Sequence, residues 1–185
     1  MNLYGKYLKG KNDRRWRIEH AQIVSPEDIS KFGKFSVIPS VQPTHATSDM
    51  YWAEARLGKE RVKTAYAFKD LLKQNGNIAF GSDFPVEHFN PLFGFNSAVA
   101  RKDAKGFPPG GFQMENAVSR EDALRGMTIW AAYANFEDKN RGSIEKGKWA
   151  DFVILEKDIM KVAENELRDI KTLRTVIAGE TVFRR

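Results

Sequence analysis

Three short apolar runs, spaced by helix-length spans, constrain this chain more than any other feature. Trp16 to Gln22, Phe35 to Val41 and Ile78 to Ser82 each have the length and the aromatic or β-branched content of a strand. The order is strand, helix, strand, helix, strand. Parallel strands need a crossover between them, so this alternation predicts a parallel sheet. Each run also leads into a residue with chemistry: His20 closes the first, His45 follows the second and Asp83 follows the third. In parallel α/β folds, side chains just past the carboxyl ends of the strands converge on one site. His and Asp supply nitrogen and oxygen ligands to a divalent metal, and Asp can also serve as a base. Each residue has a plainer reading too. A lone His after a strand is often a packed loop residue, and Asp83, two positions before Pro85, suits a turn. His88, the remaining histidine, lies shortly after the third run.

The helix signals are of ordinary kinds. Leu3 with Tyr7, and Tyr4 with Leu8, pair at i, i+4 spacing and predict a short N-terminal helix stopped at Gly10. Ser25-Pro26 starts a helix ending near Gly33, with Asp28 placed for a capping-box contact. Thr47-Ser48-Asp49 is expected to begin another stretch, broken at Gly58. Glu60 to Leu72 reads as one helix, stopped by Asn75-Gly76. Asn90-Pro91 opens the next. Ser119 caps a long helix expected to run to about Phe136. After Arg141 the pattern changes. Ala150 to Leu155 is a strand, Glu164 to Ile170 a brief helix, and Thr172 to Arg184 a hairpin turning at Gly179. Residues 142–185 are therefore expected to form a small β unit distinct from residues 1–141.

Composition narrows the functional classes. There is no Cys among 185 residues, which excludes disulfide scaffolds, thiolate metal sites and cysteine nucleophiles. It fits a reducing compartment, and the expected location is cytoplasmic. No run of about 18 apolar residues occurs, so no membrane partner is expected. The net charge of +6 is largely local. Lys6, Lys9, Lys11, Arg14, Arg15 and Arg17 face only Asp13 and Glu19. Basic clustering without a nucleic-acid-binding motif predicts no nucleic-acid partner.

The wording of five segments adds a family resemblance. Arg17-Ile18-Glu19-His20-Ala21-Gln22, Gln42-Pro43-Thr44-His45, Gly81-Ser82-Asp83-Phe84-Pro85, Thr128-Ile129-Trp130-Ala131-Ala132 and Gly147-Lys148-Trp149-Ala150-Asp151 occur in that order. Together they resemble family 3 of the amidohydrolase superfamily, the branch of D-aminoacylase-like and N-substituted-formamide-deformylase-like enzymes. The resemblance runs from about Arg14 onward. It implies a metal-dependent (β/α)8 TIM barrel joined to a small β-sandwich. It also implies roles. His20 matches the metal-ligand His after the sixth barrel strand. Asp83 matches the Asp after the eighth, which approaches the metal, usually zinc, and shuttles the proton. His45, after the seventh, is the candidate for contacting substrate. In the family's mechanism a metal-activated water attacks an amide-type carbonyl of a small-molecule substrate.

Other parts of the family pattern have no counterpart here. The chain has no His-x-His pair, no bridging Lys or Glu from middle strands and no His of the fifth strand. A full barrel takes about 250 residues, and residues 1–141 supply about three strand-helix units. The expectation is thus the C-terminal portion of a family member, entering within the helix after the fifth strand. Such a chain is expected to bind zinc weakly or not at all, and to be inactive alone. The alternative is a non-catalytic remnant acting as an oligomerising domain. Either way, open strand edges predict a homo-oligomer.

Overall fold

The three apolar runs pair as a parallel sheet in the computed structural model, which describes residues 1–185. The strands are β1 (Arg17–Glu19), β2 (Ile38–Val41) and β3 (Ala79–Phe80), in that spatial order. Arg17 pairs with Ile38, Glu19 with Ser40 and Val41 with Phe80. β2 is the middle strand. Val37, Ile38 and Val41 are buried, as a central strand of a covered parallel sheet requires.

The helices before and between the strands are α1 (Asn2–Leu8), α2 (Pro26–Lys34), α3 (Pro43–Asp49), α4 (Ala53–Arg61) and α5 (Phe68–Asn75). After β3 come α6 (Pro91–Ala100), α7 (Arg120–Met127) and α8 (Ile129–Ala134). Phe32, Phe68, Leu71 and Phe95, from α2, α5 and α6, join Val37, Val41 and Ile78 in one core of 23 buried residues. Ile38 and Ala79 point the other way and meet Ala134 of α8. Gly33 explains how closely α2 and α5 pack. A Cβ built there would stand 2.1 Å from the Gln74 carbonyl oxygen.

Several helix starts follow the sequence. Pro26 and Pro91 occupy first-turn positions. The Asn90 side chain accepts from the Leu92 N–H, and Ser119 accepts from the Asp122 N–H. The capping-box contact expected of Asp28 does not form, because its carboxylate accepts from Lys31 Nζ instead. α3 starts at Pro43 and ends at Asp49, so Thr47 to Asp49 closes a helix rather than opening one.

The single helix expected over Glu60 to Leu72 is broken. A 3₁₀ turn covers Val62–Thr64, and Tyr66 adopts a left-handed backbone, φ 53°. Ala65, Tyr66, Ala67 and Phe68 are all buried, and four consecutive residues cannot share one helix face. The backbone pairs elsewhere instead. The Tyr66 N–H donates to the Gln22 carbonyl, and the Tyr66 carbonyl accepts from the guanidinium of Arg101. Arg101 is fully buried without a carboxylate. Burial lowers its pKa to about 10, and the Phe112 carbonyl is its shortest acceptor at 2.8 Å.

The helix expected to reach Phe136 is likewise interrupted. Thr128 leaves helical geometry at φ −129°, ψ −97°, and its hydroxyl donates to the Leu124 carbonyl. The basic start of the chain is used at the far end of this pair. Arg15 donates to the Tyr133 carbonyl and to Asp138, with its guanidinium 3.9 Å from the Tyr133 ring centroid. Arg17 donates to the Ala134 carbonyl. Cations at a helix C-terminus satisfy its free carbonyls and oppose its dipole.

The last 44 residues carry the antiparallel sheet β4 (Phe152–Leu155), β5 (Thr172–Ile177) and β6 (Glu180–Arg184). Ala178 and Gly179, φ 51° and 85°, make the hairpin turn. The brief helix expected near Glu164 is a 3₁₀ segment, Glu164–Asp169. Ile159, Leu167 and Ile170 nevertheless enter the main core, and Arg120 of α7 donates to the Ile159 and Val162 carbonyls. No helix is long and apolar enough to cross a membrane.

The Gly33 contact yields a stability prediction. Gly33→Ala pushes a methyl into backbone rather than into a movable side chain. It should destabilise the chain by about 1–3 kcal/mol, read as a lower urea midpoint at unchanged m-value.

Candidate active site

The register of the sheet brings the three strand ends level, and the chemistry-bearing residues meet there. Asp83 Oδ2 lies 4.0 Å from His20 Nδ1 and 3.8 Å from His45 Nε2. The two imidazole rings stack with centroids 6.0 Å apart and planes 19° apart. Sequence reasoning named these three residues, and the fold places them together. His88 stays apart from them. Its Nδ1 accepts from the Asn90 N–H, and its ring stacks on Phe89.

The local backbone is strained at two of the three positions. His20 and Ala21, φ 68° and 35°, and Asp83, φ 60°, all occupy left-handed conformations without being glycine. Such positions cost on the order of 1–3 kcal/mol each and persist only where the surroundings hold them. Around His20 the surroundings are polar. Its Nδ1 lies 2.9 Å from Gln42 Oε1. Two residues on, Gln22 donates to Asp49 of α3, which also accepts from the Tyr66 hydroxyl at 2.9 Å. Burial, with the adjoining Asp49 carboxylate, pushes the Tyr66 phenol up. This network ties the turn after β1 to the far end of the helix that carries His45.

The three side chains differ in exposure. His20 is 50% exposed, Asp83 35% and His45 only 11%. His45 Nε2 is buried without a hydrogen-bond partner. That atom is a free donor or acceptor aimed toward Asp83. Glu19, beside His20, has an exposed side chain, and what desolvation it undergoes works to raise its pKa. The hydrogen bonds from Ser40 and Arg17 nonetheless hold its carboxyl below the usual range. A small cavity of about 120 Å³ adjoins the cluster, bordered by Thr44, Ser82, His88 and Phe89.

Sequence reasoning missed Gln42 and Asp49. Neither residue type announces a function by itself. The available signal was position: Gln42 directly follows the middle strand, and Asp49 lies one helical turn past His45.

Comparison with known proteins matches the chain to the amidohydrolase family. The model of the amidohydrolase family matches residues 8–183. The Arabidopsis thaliana protein LONG AFTER FAR-RED 3 is 38% identical over 178 residues, covering 94% of this chain and 30% of that protein. The N-substituted formamide deformylase of Arthrobacter pascens is 32% identical over 173 residues, covering 91% of this chain and 31% of the enzyme. The chain thus spans less than a third of the length of these curated relatives. Among solved structures, an uncharacterized metal-dependent hydrolase from Pyrococcus horikoshii superposes with a TM-score of 0.70 at 34% identity. That match covers 80% of this chain and 30% of the other.

The polar tether generates a prediction. Asp49→Ala leaves the buried Tyr66 hydroxyl without its acceptor, which should cost about 1–3 kcal/mol. Asp49→Asn keeps an acceptor oxygen and should cost less. Urea denaturation of the two variants side by side measures the difference.

Proposed function

The chain belongs to the amidohydrolase family, and we propose that it supplies the carboxyl-terminal share of a metal-dependent hydrolase that cleaves a non-peptide, amide-type C–N bond in a small molecule. The observation that supports this reading is the meeting of His20, His45 and Asp83 at the ends of three neighbouring parallel strands. In this reading the parallel sheet with its helices, residues 1–141, is part of a (β/α)8 barrel. Residues 142–185 are then part of a small β-sandwich.

The donor set suits a divalent metal such as zinc, but only in part. His20 offers an imidazole nitrogen and Asp83 a carboxylate oxygen. The Nε2 of His45, buried without a partner 3.8 Å from Asp83, is available to a polar guest. No group of three or more metal-ligating side chains is assembled within the chain. Catalytic zinc normally takes three protein ligands, so the remaining ligands would come from a longer protein.

When bound, the metal supplies a polarised, more acidic water. The chain's own residues do the rest. Asp83 accepts the water's proton at its carboxylate and returns it to the leaving nitrogen. Two imidazoles flank that carboxylate, at 4.0 and 3.8 Å. His45, mostly buried, offers Nε2 to the substrate carbonyl or its substituent.

Three outcomes test this reading. In the longer protein, Asp83→Asn should lower turnover by at least ~100-fold, the scale of a lost general base, while sparing most bound metal. His20→Ala should lower both turnover and metal content, measured by atomic emission. The 185-residue chain alone should hold no tightly bound zinc and should not hydrolyse an N-acyl amino acid. One tightly bound zinc per chain with turnover would overturn this.

A second, structural reading has its own observation. β1 and β3 each pair on one edge only, and the β4–β6 sheet exposes Val153, Ile177, Val182 and Phe183. Open edges and exposed apolar faces favour association. We propose that the chain self-associates, and light scattering at low micromolar concentration should show it. A monodisperse 21.1 kDa species would refute it.

A further inference from the structure

We infer that Gln42 is the positioning residue of the site: its side-chain carbonyl fixes His20 in the tautomer protonated at Nδ1, leaving Nε2 as the free lone pair. The tautomer follows from geometry, and its use in metal binding rests on the function proposed above.

Gln42 sits where all three strand ends can be reached. It follows the middle strand β2 and is itself 8% exposed. Its backbone carbonyl accepts the His45 N–H at 3.0 Å, closing the first turn of α3 that presents His45. Its side-chain Oε1 lies 2.9 Å from His20 Nδ1. The backbone beside it is tied to β3, since the Gly81 N–H donates to the Val41 carbonyl at 3.0 Å. One residue therefore holds one histidine through its main chain and the other through its side chain.

The direction of the hydrogen bond sets the chemistry. An amide oxygen only accepts, so His20 Nδ1 must carry the proton. Nε2 of the neutral ring is then unprotonated, the form in which imidazole donates a lone pair to a metal. Free neutral imidazole side chains favour the opposite tautomer, with the proton on Nε2. The contact with Gln42 thus reverses an intrinsic preference at a histidine that is half exposed and whose Nδ1 stands 4.0 Å from the Asp83 carboxylate, beyond hydrogen-bonding distance. Metal-ligating histidines gain orientation and basicity from such a partner on their second nitrogen.

The test is made on the metal-free 185-residue chain by long-range ¹H–¹⁵N NMR of the imidazoles at mildly alkaline pH. The wild-type His20 should show the pattern of a ring protonated at Nδ1. Gln42→Leu should lose that pattern and revert to the Nε2-protonated form. Gln42→Glu keeps an acceptor oxygen at the same reach and should retain it. His45 is the internal control, because its bond to Gln42 involves only backbone. A wild-type His20 protonated at Nε2 would overturn the inference, since it means the amide is turned to donate. So would a Gln42→Leu spectrum with His20 unchanged. If Gln42→Leu fails to fold, the wild-type and Gln42→Glu spectra still decide. Because no metal is present, this experiment can fail while the metal reading survives, and the zinc measurements can fail while the tautomer stands.

Discussion

Everything at the candidate site depends on the parallel register of β2. The strand pairs on both edges, with Ile38 to Ser40 against β1 and Ser40 to Val41 against β3. Its residues are packed on both faces, by the main core at Val41 and by Ala134 at Ile38. A one-residue slip would exchange those faces and bring Ser40 into the core. The register is therefore fixed by burial, and with it the heights of the three strand ends. His20, Gln42 and Asp83 are level because Glu19 pairs with Ser40 and Val41 with Phe80.

That register alone would not aim the side chains. A strand continuing in extended geometry alternates its residues across the sheet. At His20, Ala21 and Asp83 the chain instead turns left-handed as it leaves the strand. The strain is balanced close by. Ala21 is buried, Gln22 is tied to Asp49, and the Tyr66 N–H holds the Gln22 carbonyl. The break in the expected helix at Tyr66 and the aim of His20 are thus one feature seen from two sides. A continuous helix through Tyr66 would spend that N–H on its own carbonyl ladder and release the turn after β1.

This is also where reading the sequence reached its limit. The strands, the Pro26, Pro91 and Ser119 starts and the Gly76 stop were legible because each is decided locally, by a cap, a ring constraint or a glycine. Convergence of His20, His45 and Asp83 was legible because parallel alternation fixes which ends of the strands coincide. The breaks at Tyr66 and Thr128 were not, because Glu60 to Leu72 and Ser119 to Phe136 carry good helical spacing throughout. The forces that break them come from residues distant in sequence: Gln22 and Arg101 act on Tyr66, and Arg15 and Arg17 hold the displaced end of α8. Gln42 was legible only as the residue that follows the middle strand. Its role depends on which atom of its amide faces His20, and no spacing pattern carries that information.

The unequal exposure of the three side chains follows from the same architecture. His45 lies past the central strand on α3, a helix joined to α6 by the Thr47–Ser97 hydroxyl contact, and it is covered. His20 and Asp83 follow the two outer strands, whose far edges carry no neighbour, so each is open on one side. β2, α3 and Gln42 close the middle, so in the metal-dependent reading proposed above any further donor would approach from the side of those open edges. The candidate site is thus closed at His45 and open at His20 and Asp83.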